Sequence, residues 1–442
     1  MSTGRGERFR YEGWAWDDGT LSCTYSLDGR TFTERIGFDG APAEPTPRLA
    51  AAARLVFLLA GISYYKTGAP PLVDLGDHAL TDLEREFLRT YYVKGLGEFA
   101  HKNGLLHELQ DLRLEGPTRE PAPVQVPASG RPLVPFGGGI DSIVVVEETR
   151  KARPDLALFV ASRAAARFEA IETAAAVTGL PVRRADREVD PQVLRSAELG
   201  FLNGHVPVTG ILSATAVLAA LVDDRDAVVM SNEWSASSGT VQVDGIDVNH
   251  QWSKSIEFER GFREVLAQNL PGFDYHSALR PRSELWVAQR FAELERYHLV
   301  FRSCNRAFHL DPARRADRWC GRCDKCCFID LVLAPFLSRE RLEQVFDGVE
   351  PLAQDDLADR FRSLLGDPAL TKPFECVGDV DECRVAVVTA AGRPDRQGTV
   401  LLQRLAAEVR AGAPLPVTPL PELGELLRPL SESFAPQHQP TP

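Results

Sequence analysis

The 442-residue sequence predicts an α/β fold, a parallel sheet with helices on both faces, preceded by a small α+β domain. Two observations lead to this prediction. From residue 132 onward, short apolar runs alternate with helical segments, an order that implies parallel strands joined by right-handed crossovers. Before residue 40, aromatic and polar residues alternate between Asp-Gly pairs, which is typical of antiparallel hairpins.

The first domain is predicted over residues 1–125. Hairpins are expected over residues 9–40, and helical spacing follows in RLAAAARLVFLLAGISYYK and in LTDLEREFLRTYYVKGLGEFAHKNGL. Residues 115–132 are rich in Pro, Ala and Gly without periodicity, which indicates an extended linker. We therefore place the domain boundary near residue 125.

The second domain is predicted over residues 126–390. Strands are expected in PLVPF, LALFVAS, PVRRADREV and AVVMSNE, and helices over residues 141–152, 166–178 and 209–222. Residues 391–442 are expected to form one helix, in RQGTVLLQRLAAEVRAGAP, and to end in a Pro-rich disordered tail.

The composition excludes several classes of protein. A net charge of −12 argues against a general nucleic-acid binder, because such proteins carry a basic face for phosphates. The 44% hydrophobic and 25% charged content is typical of a soluble globular protein. We expect no run to reach the roughly 18 to 20 apolar residues of a membrane span, and the first residues lack the apolar core of a secretory signal. These observations predict a cytoplasmic protein without a membrane or nucleic-acid partner.

A glycine-rich turn joins an apolar strand to a helix in LVPFGGGIDSIVVVEE, residues 133–148. Gly137, Gly138 and Gly139 leave backbone N–H groups able to meet an anion at the positive end of the helix. The Walker sequence is excluded because its Gly-Lys-Ser/Thr ending is missing, and the GxGxxG dinucleotide spacing is absent as well. A tight turn without a ligand remains the alternative.

Four of the eight cysteines have the spacing of a metal site. Cys304, Cys320, Cys323 and Cys326 can build a closed tetrahedral zinc site of the structural kind. Free reduced thiols and an iron–sulfur cluster remain alternatives. Cys327 begins an apolar helical run, so we expect it to be a small buried side chain.

The turn PFGGGIDS resembles the SGGxDS PP-loop of the ATP pyrophosphatases, which have a HUP-type parallel sheet and cleave ATP to AMP and pyrophosphate while adenylating a substrate. Gly137 stands where that family usually has Ser, so this position offers no hydroxyl to pyrophosphate. The resemblance implies that Asp141 helps to hold Mg²⁺ and that Ser142 donates to a phosphate. Asn232 and Glu233 follow a later strand and would face the nucleotide, with a capped loop as the alternative.

Seven blocks between about residue 8 and residue 390 resemble the MurL family, the UDP-N-acetyl-α-D-muramoyl-L-alanyl-L-glutamate epimerases. They are LVFLLAGISYYKTGAPP, YYVKGLGEFAHKNGL, PFGGGIDSIVVVE, NHQWSKSIEFERGF, CNRAFHLD, WCGRCDKCCFIDLVLAPFL and KPFECVG. The resemblance implies an ATP- and Mg²⁺-dependent inversion of the terminal glutamate of UDP-MurNAc-L-Ala-L-Glu, which gives the D-Glu precursor of peptidoglycan. The cysteines also resemble the cluster of the PP-loop enzymes that make 7-cyano-7-deazaguanine, although the gap after Cys304 is longer here.

Adenylation makes this inversion chemically feasible. The α-proton beside an ionised carboxylate is hard to remove, because the carbanion would place a second negative charge next to the first. An acyl-adenylate is an electron-poor carbonyl, so a base can remove the proton while an oxyanion site holds the enolate. Reprotonation on the opposite face and hydrolysis then release the product and AMP.

The block VNHQWSKSIEFERGF and a later cysteine supply candidates for these steps. His250 is the first candidate for the general acid/base, and Cys376 is the second. Lys254 is a candidate ion pair for phosphate or enolate, with Glu257 and Glu259 as partners of either group. A polar helix start beside a packed Trp is the alternative for this block.

Other functions stay open from the sequence. Tyr64, Tyr65 and Lys66 are candidates to line a UDP-sugar pocket, or they form a helix end in the N-terminal core. One rival is another PP-loop adenylating enzyme, such as a 7-cyano-7-deazaguanine synthase-like or amidotransferase-like ligase. The other is a zinc-stabilised protein that binds a nucleotide without cleaving it. The sequence also leaves open the oligomeric state, the identity of the base and which carboxylate is adenylated.

Overall fold

The computed structural model describes residues 5–163, 166–237, 241–309, 312–370, 373, 375, 377–416 and 419–429. Within these ranges the chain forms the strands β1 (Arg8–Asp17), β2 (Thr20–Leu27), β3 (Arg30–Phe38), β4 (Leu72–Asp74), β5 (Arg113–Glu115), β6 (Pro132–Pro135), β7 (Ala157–Ser162), β8 (Val182–Glu188), β9 (Ala227–Met230), β10 (Val241–Val243), β11 (Ile246–Val248) and β12 (Asp274–Ser277).

The helices of the described ranges are numbered in the same way. They are α1 (Pro47–Ala60), α2 (Ile62–Tyr65), α3 (Asp82–Gly95), α4 (Gly97–Asn103), α5 (Leu106–Gln110), α6 (Ile140–Ala152), α7 (Glu169–Thr178), α8 (Pro191–Leu194), α9 (Val208–Val222), α10 (Ile256–Asn269), α11 (Glu284–Ala292), α12 (Asp324–Leu333), α13 (Arg339–Val345), α14 (Ala358–Leu364), α15 (Val380–Ala391), α16 (Val400–Ala411) and α17 (Leu423–Leu426). The tail that was expected to be disordered lies mostly outside the described residues.

One ten-stranded sheet organises the fold, in the order β12-β9-β6-β7-β8-β3-β2-β1-β4-β5. The strands from β12 to β8 pair in parallel, which confirms the predicted α/β core. The four strands expected there are β6 to β9, and the three expected helices are α6, α7 and α9. Because β6 is followed by β7 on one side and flanked by β9 on the other, a crevice opens at the carboxyl ends of β6 and β9, where open parallel sheets bind ligands.

Alternate residues of the parallel strands point into two different apolar cores. Leu133 and Val228 belong to the core formed with α1, α3, α9 and α10, whereas their neighbours Val134 and Val229 belong to the core formed with α6, α11, α12 and α15. Helices therefore cover both faces of the sheet, as predicted, and the strands are apolar on both sides for that reason.

The predicted N-terminal hairpins are confirmed. Asp18 and Gly19, and again Asp28 and Gly29, have positive φ angles at the two tight turns between β1, β2 and β3. This conformation is the one that Asp-Gly pairs favour in two-residue hairpins. The hairpins do not form a separate sheet, because β3 pairs antiparallel with β8 and continues the parallel sheet. The domain boundary near residue 125 stays a prediction.

A buried ion pair crosses this junction between β3 and β8. The Arg187 Nε donates to Glu34 Oε1 at 2.6 Å, and its Nη2 donates to Oε2 at 3.3 Å. Glu34 is fully buried and also accepts a hydrogen bond from the Tyr64 hydroxyl at 2.8 Å. A bidentate pair of this kind holds two strands in one register, so the N-terminal strands and α2 are fixed to the parallel half.

One expectation about hydropathy is wrong. Within the described part of the chain, the helical stretch Pro47–Tyr65 is long and apolar enough to cross a membrane by length and composition. Buried residues make up 78% of its apolar window, and Val56 and Phe57 lie in the core beneath the sheet. Its apolar character therefore reflects burial on almost every side.

We expect Glu34→Ala to lower the free energy of unfolding by about 3–5 kcal/mol, because it leaves the Arg187 guanidinium unpaired at a buried junction. Urea denaturation measures the change. The control is Glu198→Ala, which removes an exposed partner of Arg195 and should change the unfolding free energy by about 0–1 kcal/mol. Equal effects of the two substitutions would show that the ion pair does not hold the junction.

Candidate active site

The predicted glycine turn lies between β6 and α6, at the crevice in the sheet. Gly139 is the N-cap residue of α6 and provides no side-chain cap, so the first backbone N–H groups of the helix are available to an anion. Gly138 has a φ of +73°, and a Cβ built on it would lie 2.9 Å from the Ala170 carbonyl oxygen. Only glycine fits this position. At Gly137 a Cβ would have no heavy atom within 4 Å, so the missing serine does not reflect a lack of space.

Asp141 lies in the first turn of α6, within a cluster of four acidic residues. Its Oδ1 is buried and has no hydrogen-bond partner among the described residues. The other members are Glu233, after β9, Glu284, which begins α11, and Glu382 of α15, and they are 6%, 3% and 1% exposed. We call this group the acidic cluster. Sequence reasoning found its first two members and missed the other two.

Hydrogen bonds orient two members of the acidic cluster. The Ser235 hydroxyl donates to Glu284 Oε1 at 3.0 Å. Glu382 accepts from the Trp234 indole at 3.2 Å and from the Leu285 backbone N–H at 2.9 Å. The chain that follows Glu233 therefore binds both of the carboxylates contributed by the later helices.

The lysines near the acidic cluster do not fully balance the negative charge of its carboxylates. Burial and the charge of Glu233 raise the pKa of Asp141 to about 7. Burial raises the pKa of Glu382 to about 7, with contributions from Asp379 and Glu233, and burial raises the pKa of Glu284 well above its usual range. Lys325 and Lys254 only partly offset this effect on Asp141. Oxygen ligands that crowd together without enough positive charge are the donors that Mg²⁺ prefers.

A buried arginine positions two of the candidate residues. Arg280 donates to the Glu233 carbonyl and to the Lys254 carbonyl, each at 2.7 Å. The same guanidinium pairs with Glu259 at 2.8 Å. Glu259 is therefore a structural partner of Arg280. Asn232, also buried, accepts a hydrogen bond on its backbone carbonyl from the Ser277 hydroxyl at 2.6 Å.

The charge of Lys254 links the acidic cluster to a second polar group. Its charge acts on Asp141 on one side and on His205 on the other. The rings of His205 and His250 are in contact at an interplanar angle of 44°, with centroids 4.3 Å apart, and His250 is hydrogen-bonded through Nδ1 to Glu98. His250, the first candidate base from the sequence, thus contacts His205 and Glu98, two residues that sequence reasoning missed.

The remaining candidates lie elsewhere. Glu257 accepts hydrogen bonds from Lys94 and from the Trp252 indole, at the rim of a cavity of about 360 Å³. Tyr64 and Tyr65 are buried in the N-terminal core, which favours the structural alternative for both. Cys376 lies outside the described residues.

The four predicted cysteines come together. Their Sγ atoms all lie within 4.8 Å of one another, with 3.6 Å between Cys320 and Cys326 and 3.4 Å between Cys323 and Cys326. Four thiolates at zinc–sulfur distances of about 2.3 Å in a tetrahedron have their sulfurs about 3.8 Å apart. The donor set and the spacing therefore fit a zinc ion. Cys327 is buried outside the group, as expected.

The cysteine cluster is connected to the glycine turn by the segment that carries Cys304. The backbone N–H of Arg302 donates to the Gly138 carbonyl at 3.2 Å. The hydroxyl of Ser303 lies 2.8 Å from the position that a Cβ would occupy on Gly139. Fixing Cys304 therefore fixes two residues that pack directly on the glycine turn.

Comparisons with known proteins agree on one family. A family model described as the MurL N-terminal domain matches residues 1–278, and one described as the MurL C-terminal domain matches residues 300–416. The chain is 37% identical over 403 residues to the UDP-N-acetyl-alpha-D-muramoyl-L-alanyl-L-glutamate epimerase of Xanthomonas oryzae pv. oryzae, covering 89% of this chain and 87% of that protein. It is 40% identical over 401 residues to the protein of the same name from Salinispora tropica, covering 87% and 84%. No solved structure matches.

We expect Gly138→Ala to lower the free energy of unfolding by at least about 1–2 kcal/mol, because the new side chain must adopt a left-handed backbone conformation against the Ala170 carbonyl. Gly137→Ala is the matched control, since its Cβ meets open space, and its effect should stay within about 0.5 kcal/mol. Urea denaturation of both variants tests this difference. A silent Gly138→Ala substitution would contradict the turn geometry.

We expect Cys326→Ser to abolish zinc binding and to lower the melting temperature, because a structural metal contributes folding free energy. Cys327→Ser changes the neighbouring buried cysteine and should leave the zinc content unchanged. Elemental analysis of the purified proteins and thermal unfolding give the two measurements. A stable wild-type protein without metal would exclude the zinc site.

Proposed function

Because the chain belongs to the MurL family of UDP-N-acetyl-α-D-muramoyl-L-alanyl-L-glutamate epimerases, we propose that it inverts the terminal L-Glu of UDP-MurNAc-L-Ala-L-Glu to D-Glu. In this proposal ATP is cleaved to AMP and pyrophosphate, and an acyl-adenylate is the intermediate. The substrate comes from the names of the relatives. The proposal that ATP binds here rests on the start of α6 behind the glycine turn. This helix start has no side-chain cap, and the Oδ1 of Asp141 beside it has no hydrogen-bond partner among the described residues.

The glycine turn binds the phosphates of ATP in this proposal. The N–H groups at the start of α6 would bind the phosphates that leave as pyrophosphate, and the helix adds its positive end. The Ser142 hydroxyl donates to the Gly139 carbonyl at 3.1 Å, and in this proposal it turns to donate to a phosphate instead. Ser303 offers a second hydroxyl, which lies close to Gly139. It can serve as a donor in place of the hydroxyl that Gly137 lacks.

Asp141 and Glu233 are the proposed ligands of Mg²⁺, supported by Glu284 and Glu382. A divalent cation would satisfy the unpartnered oxygen of Asp141 and balance the charge of the acidic cluster. When bound, it neutralises phosphate charge that develops as the pyrophosphate leaves. The protein's own part is to hold these carboxylates in place through Ser235, Trp234 and Arg280.

The nucleoside of ATP is proposed to lie at the ends of β7 and β8. Ser162 and Asp186 are neighbours across these two strands. The Ser162 hydroxyl and the Asp186 Oδ1 are buried without a hydrogen-bond partner among the described residues. Such groups need partners, and the hydroxyl and amino groups of a nucleoside can provide them.

Proton transfer is proposed to occur on the other side of Lys254, where His250 lies. Adenylation of the α-carboxylate acidifies the adjacent Cα–H, so we assign the adenylate to that carboxylate rather than to the γ-carboxylate. Lys254 supports this arrangement, because its charge acts on both Asp141 and His205 and can stabilise the enolate oxygen. Roles for Glu257 and Cys376 stay predictions.

Zinc at the four cysteines has a structural role in this proposal. The ion would fix the segment of Cys304 and, through Arg302 and Ser303, the shape of the glycine turn. A UDP-linked substrate is water-soluble, so the cytoplasm is the proposed compartment.

Incubation with UDP-MurNAc-L-Ala-L-Glu, ATP and Mg²⁺ tests the function directly. Chiral analysis should show D-Glu in the product, and AMP and pyrophosphate should form with it. We expect Asp141→Asn to lower AMP formation about 100-fold or more, since it removes charge from the phosphate and metal site. Asp359→Asn, an exposed carboxylate beside Arg362, is the control and should leave the rate unchanged.

Two outcomes would contradict the proposal in different ways. Inversion that proceeds without ATP would remove the role of the glycine turn. AMP formation without inversion would instead favour another adenylating enzyme.

A further inference from the structure

Glu98, His205 and His250 come together from three separate segments of the chain. Glu98 lies on α4, His205 precedes α9, and His250 follows the β10–β11 hairpin. We call them the imidazole group. Their ligand atoms all lie within 4.8 Å of one another.

The segment of His205 is fastened to α4. Lys66 donates to the Asn203 side-chain oxygen at 2.8 Å and to the Gly204 carbonyl at 3.1 Å. Gly204 packs so closely on Phe99 that a Cβ would lie 3.0 Å from the ring. Lys66, which the sequence suggested for a sugar pocket, thus holds the segment that presents His205.

Glu98 links the members of the imidazole group. One of its carboxylate oxygens bonds to His250 Nδ1 and the other to Lys102. His205 Nδ1 lies 4.0 Å from the same oxygen that binds His250. Hydrogen bonds from His250 and Lys102 outweigh the opposing effect of burial and lower the pKa of Glu98 to about 2, so this carboxylate is ionised.

His205 is neutral at physiological pH. Burial, followed by the charges of His250, Lys102 and Lys254, lowers the pKa of its imidazole to about 4, and Glu98 offsets only part of this effect. Among the described residues it accepts or donates no hydrogen bond in the geometric range. A neutral imidazole with an available nitrogen is a proton acceptor.

Sequence neighbours of two members of the imidazole group line the cavity of about 360 Å³. Gly97, the neighbour of Glu98, and Asn249, the neighbour of His250, both line this cavity. The side chain of His205 is 26% exposed, more than those of Glu98 and His250. His205 is therefore the member of the imidazole group that a substrate reaches most easily.

We propose that His205 is the catalytic base that removes the α-proton of the activated glutamyl residue, with His250, whose ring lies against that of His205, and Glu98, which binds His250, as positioning residues. This inference rests on the proposed function. In the step, the Cα–H bond breaks, its proton forms an N–H bond on His205, and its electron pair enters the enolate of the acyl-adenylate. The imidazolium then loses its proton to solvent, which the partly exposed ring of His205 can reach.

The spacing of the two rings determines which face they serve. If the substrate Cα lay between the two imidazole rings, the ring centroids would have to be about 7 Å apart, because each contact between the carbon and a ring takes about 3.5 Å. The rings of His205 and His250 are 4.3 Å apart, so Cα cannot lie between them. Both imidazoles serve the same face of the substrate, and the proton that completes the inversion arrives from the opposite face.

A metal ion is the competing occupant of the imidazole group. Lys102 already bonds to the Glu98 carboxylate, and the charge of Lys254 acts on His205. Two ammonium groups beside a site with one carboxylate oppose a divalent cation. The observations favour proton transfer.

The test separates activation from proton removal. Wild type and His205→Ala are mixed with UDP-MurNAc-L-Ala-L-Glu, ATP and Mg²⁺ in D₂O, and pyrophosphate release in the first turnover and deuterium at the glutamate Cα are measured. We expect His205→Ala to release pyrophosphate within about tenfold of the wild-type rate and to lose deuterium incorporation about 100-fold or more, the size of a general base effect. Exogenous imidazole should restore part of the exchange in His205→Gly.

Controls make each outcome decisive. His107→Ala removes an exposed histidine beside Asp244 and should change neither measurement. Exchange at the wild-type rate in both His205→Ala and His205→Gln would overturn the inference, and so would a second equivalent of bound metal that is lost in Glu98→Gln. If the wild-type enzyme releases no pyrophosphate with this substrate, the proposed function fails instead.

Discussion

The pairing of β3 with β8 is the constraint on which the rest of the molecule depends. It turns an antiparallel meander and a parallel sheet into one sheet, and the buried pair of Glu34 and Arg187 holds the two halves in register. The family's N-terminal domain spans residues 1–278, and every strand of this sheet lies within that range. Together with the packing of α1 on α9 and of α3 on α10, this junction positions α4 relative to the residues that follow β8 and β9.

The candidate site is therefore assembled from parts that are distant in sequence. The turns that follow β6 and β9 supply Asp141 and Glu233, and α4, from the N-terminal part of the chain, supplies Glu98. The second family domain adds Lys325 and Glu382, together with the cysteine cluster that braces the glycine turn. Because each contribution is anchored to a buried element, the groups are preorganised for a reaction that needs two different environments.

Local patterns explain what the sequence could predict. The glycine turn and the cysteine spacing are contiguous signals, and the apolar strands of a parallel sheet are short runs between helices, so β6 to β9 and the cysteines were predictable. β12 is a four-residue strand with only one large apolar side chain, and it carries no such signal. Glu257 and Glu259 were treated as equivalent, yet residues two apart on a helix point to opposite sides. Glu259 binds Arg280 in the interior, whereas Glu257 binds Lys94 at the surface.

Glu98, His205, Glu284 and Glu382 were missed for a related reason. Each lies in a short helix, a loop or the first turn of a helix, where no motif marks it as a ligand or a base, although Glu98 falls in one of the blocks that resemble the MurL family. Their importance comes from tertiary neighbours, such as Lys66 holding the segment of His205 and Trp234 reaching Glu382. No spacing rule in one sequence encodes contacts that join residues more than 100 positions apart.

The separation of the two charge environments has a chemical consequence. A base that must be neutral cannot work beside four buried carboxylates, because their negative field would raise its pKa and keep it protonated. Cleavage of a triphosphate, by contrast, needs carboxylates that bind a divalent cation. In this chain the four buried carboxylates and the imidazole group are separate sets of side chains, and Lys254 is a positive charge that acts on Asp141 in the first and on His205 in the second. The same lysine therefore partly offsets the raised pKa of Asp141 and contributes to the lowered pKa of His205, so the two environments are electrostatically linked.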